Sequence, residues 1–359
     1  MLEFCCKTKI ISGPGAVSAL KTMGIKKALL VTDPYFMKNG EAARIAQLTG
    51  AQTDIFCDIT PDPTAELVGA ATARFQAQLP DTVIALGGGS AMDTAKAVCY
   101  FGGKTARLVA IPTTSGSGSE VTDFAVLSHN GVKHPLIDPS LQPEAAILDS
   151  DLLEKLPPSL IADSGFDVLS HALEAYVATH SSPITDALAA DSFATAFASL
   201  PASFAGNRAL RLPIHQAATM AGMAFGSAGL GLCHALSHAL GGMFHLPHGR
   251  LNAILLPAVV DVNQHRAGEK YAKLARRAGL GSSADTVAVR NLKNALIRLR
   301  RELRLPDTLQ QAGLDPRLVR KNASQLVEAT LSDPCCKTNP TAVEDYMVRA
   351  VLEAVTGRG

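Results

Sequence analysis

At 359 residues the chain is longer than one hydrophobic core usually supports, so two domains are expected. Its make-up, 47% apolar and 18% charged, is that of a globular enzyme with large buried helices. A formal net charge of +1, no basic block and few aromatics (five tyrosines, no tryptophan) argue against nucleic acid and anionic membrane surfaces as partners. No apolar run reaches about 18 residues, so no membrane span is expected. The opening MLEFCCKTK lacks the basic-then-apolar pattern of a signal peptide. Seven scattered cysteines without a CxxC pair suit free thiols in a reducing cytoplasm.

KALLVT (27–32) reads as a buried strand stopped by Asp33 and Pro34. A helix is expected over 41–48, then a strand in TDIFCDI (53–59) closed by Pro61 and Pro63. The spacing over 64–78 predicts a helix with Thr64 as its N-cap. TVIAL (82–86) is a strand running into Gly87, Gly88, Gly89 and Ser90, after which MDTAKAVCYF resumes a helical period. RLVAIP (107–112) is another strand, followed by TTSGSGSE. FAVLS and KHPLI flank Asn130-Gly131 as a hairpin, and AAILD (145–149) is a last strand. Apolar strands alternating with helices indicate a parallel sheet covered on both faces.

Beyond Pro157 and Pro158 strand signals almost vanish. Helices are expected over 159–179, 185–204, 208–227, 232–240, 249–263, 267–278 and 285–302, with two or three short ones to the end. The fold class is therefore an α/β domain on a parallel sheet over 1–157, whose dinucleotide-binding role rests on the loops that follow its strands, and an all-α domain over 158–359.

In an open parallel sheet, ligands bind beyond the carboxyl ends of the strands. Gly87–Ser90 sits at such an end and opens a helix. Glycines there let a pyrophosphate approach the backbone, and the helix N-terminus offers unpaired N–H groups. A bare GGGS is more often a turn, but the strand before it and the helix after it, with Asp93 and Lys96 in its first turns, favour a phosphate site. TTSGSGSE could line the same crevice or be a flexible loop. Asp33 could accept both hydroxyls of an adenosine ribose, which favours NAD over NADP, or could simply serve an Asp-Pro turn.

Gly229–Asn252 carries four of the ten histidines. His234 and His238 are four apart and share a helix face. Gly241 and Gly242 are expected to break that helix, with His245 and His248 following in a short turn. Nothing in the stretch is charged before Arg250. Upstream, Asp167 and His171 are also four apart on a predicted amphipathic helix. One such histidine alone is more often a packed core residue. A carboxylate and several imidazoles from separate helices are what a divalent transition metal requires. Cys233, beside His234, reads as a packing residue.

GGGSAMDTAKA, IPTTSGSGSEVT, DVLSHALEAY and GLGLCHALSHALGGMFHLPHG together resemble the iron-containing (group III) alcohol dehydrogenases, in order and spacing, over essentially the whole chain. FHLPHG resembles most closely the branch of 1-propanol dehydrogenases associated with propanediol-utilisation microcompartments, with the ethanolamine-associated ethanol dehydrogenases close behind, so the implied pair is propanal and 1-propanol or acetaldehyde and ethanol. The resemblance implies metal ligands at Asp167, His171, His234 and His248, and a histidine near nicotinamide and substrate at His238. It implies cofactor contacts at Asp33, Gly87, Gly88, Gly89, Ser90, Asp93, Thr113, Thr114, Ser117 and Lys133. Many relatives have Thr at the position of Ser117; the hydroxyl is retained.

The implied reaction is hydride transfer between NAD(H) and a short-chain alcohol or aldehyde of about two to four carbons. A divalent metal would act as the Lewis acid, and His238 would relay a proton or serve only in packing. The donor set accepts Fe(II), Zn(II), Ni(II) or Co(II), and only the resemblance selects Fe(II). Phe124, Phe225, Met243 and Phe244 are candidates to line a small apolar pocket. A zinc-dependent polyol dehydrogenase is the nearest rival reading. A dehydroquinate-synthase-like lyase is a remoter one, since its anionic substrate needs several Lys and Arg and only Arg250 is at hand. A homodimer or larger assembly, and enclosure with microcompartment partners, are what the family implies beyond the single chain.

Overall fold

The computed structural model describes residues 3–103, 105–129 and 132–357, and divides the chain into two compact units. The first, Cys5–Leu156, is built on the strands β1 (Lys9–Ser12), β2 (Lys27–Thr32), β3 (Gln52–Phe56), β4 (Thr82–Gly87), β5 (Arg107–Pro112), β6 (Phe124–His129), β7 (Val132–Ile137) and β8 (Ala145–Leu148). Six of them form one parallel sheet in the order β1-β8-β5-β4-β2-β3. β6 and β7 pair antiparallel as the expected hairpin; its turn, Asn130-Gly131, lies outside the described residues. The helices of this unit are α1 (Pro34–Lys38), α2 (Glu41–Leu48), α3 (Ala65–Gln78) and α4 (Gly89–Phe101).

The unbroken apolar runs of β2 and β4 have one cause: both faces of the sheet are buried. Leu29, Val31, Val83 and Ala85 pack with Phe75 and Met92 on one side. Ala28, Leu30, Ile84 and Leu86 pack with Leu20 and Ile45 on the other. Thr64 caps α3 as its position suggested, its side chain accepting the Leu67 N–H.

The second unit begins at Pro157 and is helical: α5 (Pro158–Val177), α6 (Pro183–Phe204), α7 (Arg211–Ala228), α8 (Leu232–Phe244), α9 (His248–Arg277), α10 (Asp285–Glu302), α11 (Pro316–Lys321), α12 (Ala323–Ser332) and α13 (Asp345–Thr356). α5 is its hub, packed against α6, α7 and α9. Among the described residues no helix is long and apolar enough to cross a membrane.

Two expectations are corrected here. Gly241 and Gly242 do not break a helix. α8 runs through both and stops at His245, whose φ of 57° is left-handed. Glycine costs a helix only about 1 kcal/mol, which the packing of α8 on α9 outweighs. The two helices expected over 249–263 and 267–278 are one, α9, of 30 residues with Pro257 inside. Proline cannot donate to the carbonyl four residues back. Arg300 of α10 supplies the missing donor, its Nη1 reaching the Ala253 oxygen at 3.1 Å and that of Ile254 at 3.3 Å.

α5 and α9 touch at a glycine. A Cβ on Gly249 would sit 2.0 Å from the Asp163 carbonyl oxygen, so only glycine lets the two backbones meet there. That contact sets His248, the residue before, against the face of α5 that carries Asp167.

Candidate active site

In the first unit β2, β4 and β5 are neighbours in register, with Thr32 opposite Leu86 and Gly87 opposite Pro112. Their carboxyl ends are therefore level, which gathers Asp33, Gly87–Ser90 and Thr113–Ser117 at one edge of the sheet. Asp33 caps α1 through Oδ1, which accepts the Tyr35 and Phe36 N–H groups at 2.9 and 3.3 Å. Its Oδ2 faces Gly87, 3.8 Å from where a Cβ would stand. Gly87 has φ 155°, and a Cβ there would meet that of Ala91 at 2.6 Å. Gly88, the N-cap of α4, has no side chain to satisfy the first N–H groups of that helix. Thr114 Oγ1 and Ser117 Oγ would lie 3.3 and 3.7 Å from Cβ atoms on Gly88 and Gly89, so the hydroxyl loop stands over the glycine loop. Thr113 donates its N–H to the Gly87 carbonyl. Asp93 is half-buried in the second turn of α4. The side chain of Lys133 lies outside the described residues.

Lys96 does not serve the glycine loop. It is wholly buried, and its ammonium donates to Thr122 O, Thr122 Oγ1 and Phe124 O at 2.8, 3.0 and 2.7 Å. It ties α4 to the start of β6, with its Nζ 5.6 Å from the Phe124 ring centre. Burial pushes this amine down to about 8.

The second unit brings Asp167 of α5, His234 of α8 and the leading His248 of α9 together, with one ligand atom from each within 4.8 Å of the others. Asp167 Oδ1 is 4.0 Å from His234 Nε2 and 3.5 Å from His248 Nε2. His171 is adjacent and not part of this tight group. Its Nδ1 is 3.9 Å from Asp167 Oδ1, and its ring stacks on His234 at 4.4 Å between centres. The opposite face of His171 is covered by Phe225, also at 4.4 Å. Phe225, one of the four suggested pocket residues, is thus in ring contact with the cluster.

Three residues that the sequence left unassigned define the site's chemistry. Glu174, one turn beyond His171, is buried among α8's first amides. It accepts the N–H groups of Gly231, Cys233 and His234 at 2.9, 2.7 and 3.3 Å, and meets His234 Nδ1 at 2.6 Å. Burial raises its carboxyl to about 7, against the pull of those N–H groups. With Nδ1–H of His234 held by Glu174, its Nε2 presents a lone pair to the cluster. Burial, and next the neighbouring His171 and His238, drive His234 well below the usual imidazole range, so it is neutral. Asp167 is pushed up by burial too, a bias that a bound cation would reverse.

Asn252, one turn after His248, is the second. Its amide Nδ2 lies 2.9 Å from Asp167 Oδ1, 3.3 Å from His234 Nε2 and 3.2 Å from His248 Nε2. Its oxygen is held by Ser237 Oγ and the Cys233 thiol, which fixes the amide's orientation. Three acceptors converge on a nitrogen with two hydrogens. A pocket so rich in lone pairs, with one carboxylate and soft imidazoles, fits a divalent transition metal. Cys233 is not a ligand: burial raises its thiol well above its usual range, and it hydrogen-bonds Asn252.

The third is Asp333, whose Oδ2 is 2.8 Å from His238 Nδ1. His238 stacks on His248 with ring centres 5.2 Å apart. Burial works to raise Asp333, but His238 and the Cys335 N–H outweigh it and hold the carboxyl low. Arg250, the one basic residue of the stretch, is committed to Asp163 through two bonds of 3.2 and 3.0 Å. No cation from that stretch remains to hold an anionic substrate, which weighs against the lyase reading.

Signals for Glu174 and Asn252 were present, since residues three or four apart share a helix face. Asp333 is 95 residues from His238, and nothing local announces the pairing.

Comparison with known proteins places both parts of the chain in one family. The model of "Iron-containing alcohol dehydrogenase" matches residues 7–150, and that of the "Fe-containing alcohol dehydrogenase family, C-terminal" matches 161–356. The chain is 40% identical to 1-propanol dehydrogenase PduQ of Citrobacter freundii, over 98% of this chain and 99% of that one. The solved iron-containing alcohol dehydrogenase of Thermococcus thioreducens superimposes with a TM-score of 0.91 at 32% identity, covering 98% of this chain and 99% of that one. Sulfoacetaldehyde reductase from Bifidobacterium kashiwanohense, solved in complex with NAD+, gives 0.90 at 26% identity, with both chains fully covered. By both its halves and its full-length likeness, the chain belongs to the iron-containing alcohol dehydrogenase family.

Proposed function

We propose that this oxidoreductase interconverts short-chain aldehydes and primary alcohols with NAD(H), propanal and 1-propanol being its expected pair. The observation that carries the reading is the convergence of Asp167 Oδ1, His234 Nε2 and His248 Nε2, with Glu174 2.6 Å from the far nitrogen of His234. Asp167, His171, His234 and His248 would hold the metal, Fe(II) by family. When bound, it supplies Lewis-acid polarisation of the substrate oxygen. His238, fixed by Asp333, would carry the hydroxyl proton. Asp33, Gly87–Ser90, Asp93, Thr113, Thr114, Ser117 and Lys133 would bind the dinucleotide. The free Asp33 oxygen beside Gly87 would take the ribose hydroxyls and repel a 2′-phosphate, favouring NADH over NADPH. Self-association into a dimer or larger assembly, a cytoplasmic site of action and enclosure in a microcompartment complete the proposal, by likeness to the propanol dehydrogenase.

The test is NADH oxidation by propanal on anaerobic, chelator-treated protein, before and after Fe(II) or Zn(II) is returned. Recovery with Fe(II), absent in His234→Ala, supports the reading. Recovery with Zn(II) alone, together with glycerol oxidation, would replace it with the polyol branch.

A further inference from the structure

We propose that His238, Asp333 and Cys335 form a second divalent-metal site of the zinc class, distinct from the cluster on Asp167, His234 and His248. One donor atom from each of the three, an imidazole nitrogen, a carboxylate oxygen and a thiol sulfur, lies within 4.8 Å of the others. His238 comes from α8. Asp333 caps the 3-10 turn Pro334–Thr338, and Cys335 is the second residue of that turn. One carboxylate orients both partners: Oδ2 meets His238 Nδ1 at 2.8 Å, and Oδ1 accepts the Cys335 N–H at 2.8 Å. The side chains of His238 and Asp333 are only 32% and 15% exposed, so the donors are largely shielded from water yet reachable.

Zinc takes N, O and S donors at about 2.0–2.3 Å, which puts tetrahedral ligand atoms roughly 3.3–3.8 Å apart. The cluster needs a contraction of at most about 1.5 Å to reach that spacing. A sulfur donor also sets this group apart from the first one, whose donors are carboxylate and imidazole alone, and favours zinc or copper over iron and magnesium. Cys336 is engaged elsewhere, its Sγ directed to Thr330 O at 3.0 Å.

An ion here would replace the proton between His238 and Asp333 and fix the imidazole. The functional consequence, inhibition by zinc, rests on the proton role proposed for His238; the metal site itself does not.

The test uses protein loaded anaerobically with Fe(II) and desalted, then titrated with Co(II). A near-ultraviolet thiolate-to-cobalt band should saturate at one added equivalent per chain, be displaced by Zn(II), vanish in Cys335→Ser and persist in Cys336→Ser. In the unaltered protein Zn(II) should slow alkylation of Cys335 and leave Cys336 unaffected, read by peptide mass. Absence of both band and protection, or a band surviving Cys335→Ser, overturns the site. With the site filled, propanal reduction should fall by about a hundredfold, the lower end of what a proton relay contributes. Full activity with the band present would overturn the inhibitory consequence and the relay role of His238, and leave the metal site standing.

Discussion

Glu174 determines which nitrogen of His234 faces the cluster, and that is a role no local pattern states. Its carboxylate caps the start of α8 and orients a ligand in one stroke. Partners that fix a ligating imidazole typically govern about 10–100-fold in metal affinity. Glu174→Gln should lose that much, measured by competition with a chromophoric chelator; unchanged affinity would refute the orienting role. The histidines were legible because imidazoles in an apolar stretch have few other uses. Asn252 and Glu174 were within reach of the same helical arithmetic. Asp333 was not, because its meaning depends on a contact the chain makes only once folded.

Lys96 shows the same limit from the other side. Its place in the sequence suggested phosphate, and its burial makes it a fastener. In the folded chain burial holds its amine down to about 8, against about 10.4 for an unperturbed lysine. Between those values the unfolded state binds more protons, so stability rises with pH across the window. Below pH 8 that contribution is lost, though the ammonium's three oxygen partners remain. Urea unfolding at pH 8 and pH 10 should show the native protein gaining on Lys96→Met; parallel midpoints would exclude a depressed Lys96.

At the level of elements, the boundaries that failed were set by partners. The sequence marks glycine pairs and prolines as breaks because it shows their local cost. It does not show that α8 packs on α9, or that Arg300 satisfies the Ala253 carbonyl freed by Pro257. The parallel sheet was legible because double burial writes itself into unbroken apolar strands. Gly249 tests how strictly helix contacts govern the site. Gly249→Ala forces α5 and α9 apart at Asp163, and overpacking of this kind costs about 1–3 kcal/mol. The variant should melt lower and bind less than one metal per chain. If metal binding is intact, His248 does not depend on that contact.

For the molecule as a whole, the proposed ligands come from α5, α8 and α9, so a bound ion should bind those helices into one cooperative structure. Ligand that binds only the folded state stabilises it by RT ln(1 + [L]/Kd), about 4 kcal/mol at a thousandfold excess over Kd. Calorimetry before and after chelation should show the melting temperature fall on metal removal and recover on return. A melting curve indifferent to metal would mean the donors do not converge on an ion.

The sheet order carries a consequence for how the chain is made. β1 lies at an edge beside β8, so residues 9–12 find their partner only at 145–148. During translation the first strand to leave the ribosome is the last to be seated. The centre of the sheet, β2, β4 and β5, can assemble earlier around contacts closer in sequence. For the time needed to synthesise more than a hundred residues, Lys9–Ser12 waits as an unpaired segment with its two isoleucines. Nascent chains halted before Ala145 should therefore expose this segment to protease and chaperone, and chains released past Leu148 should hide it.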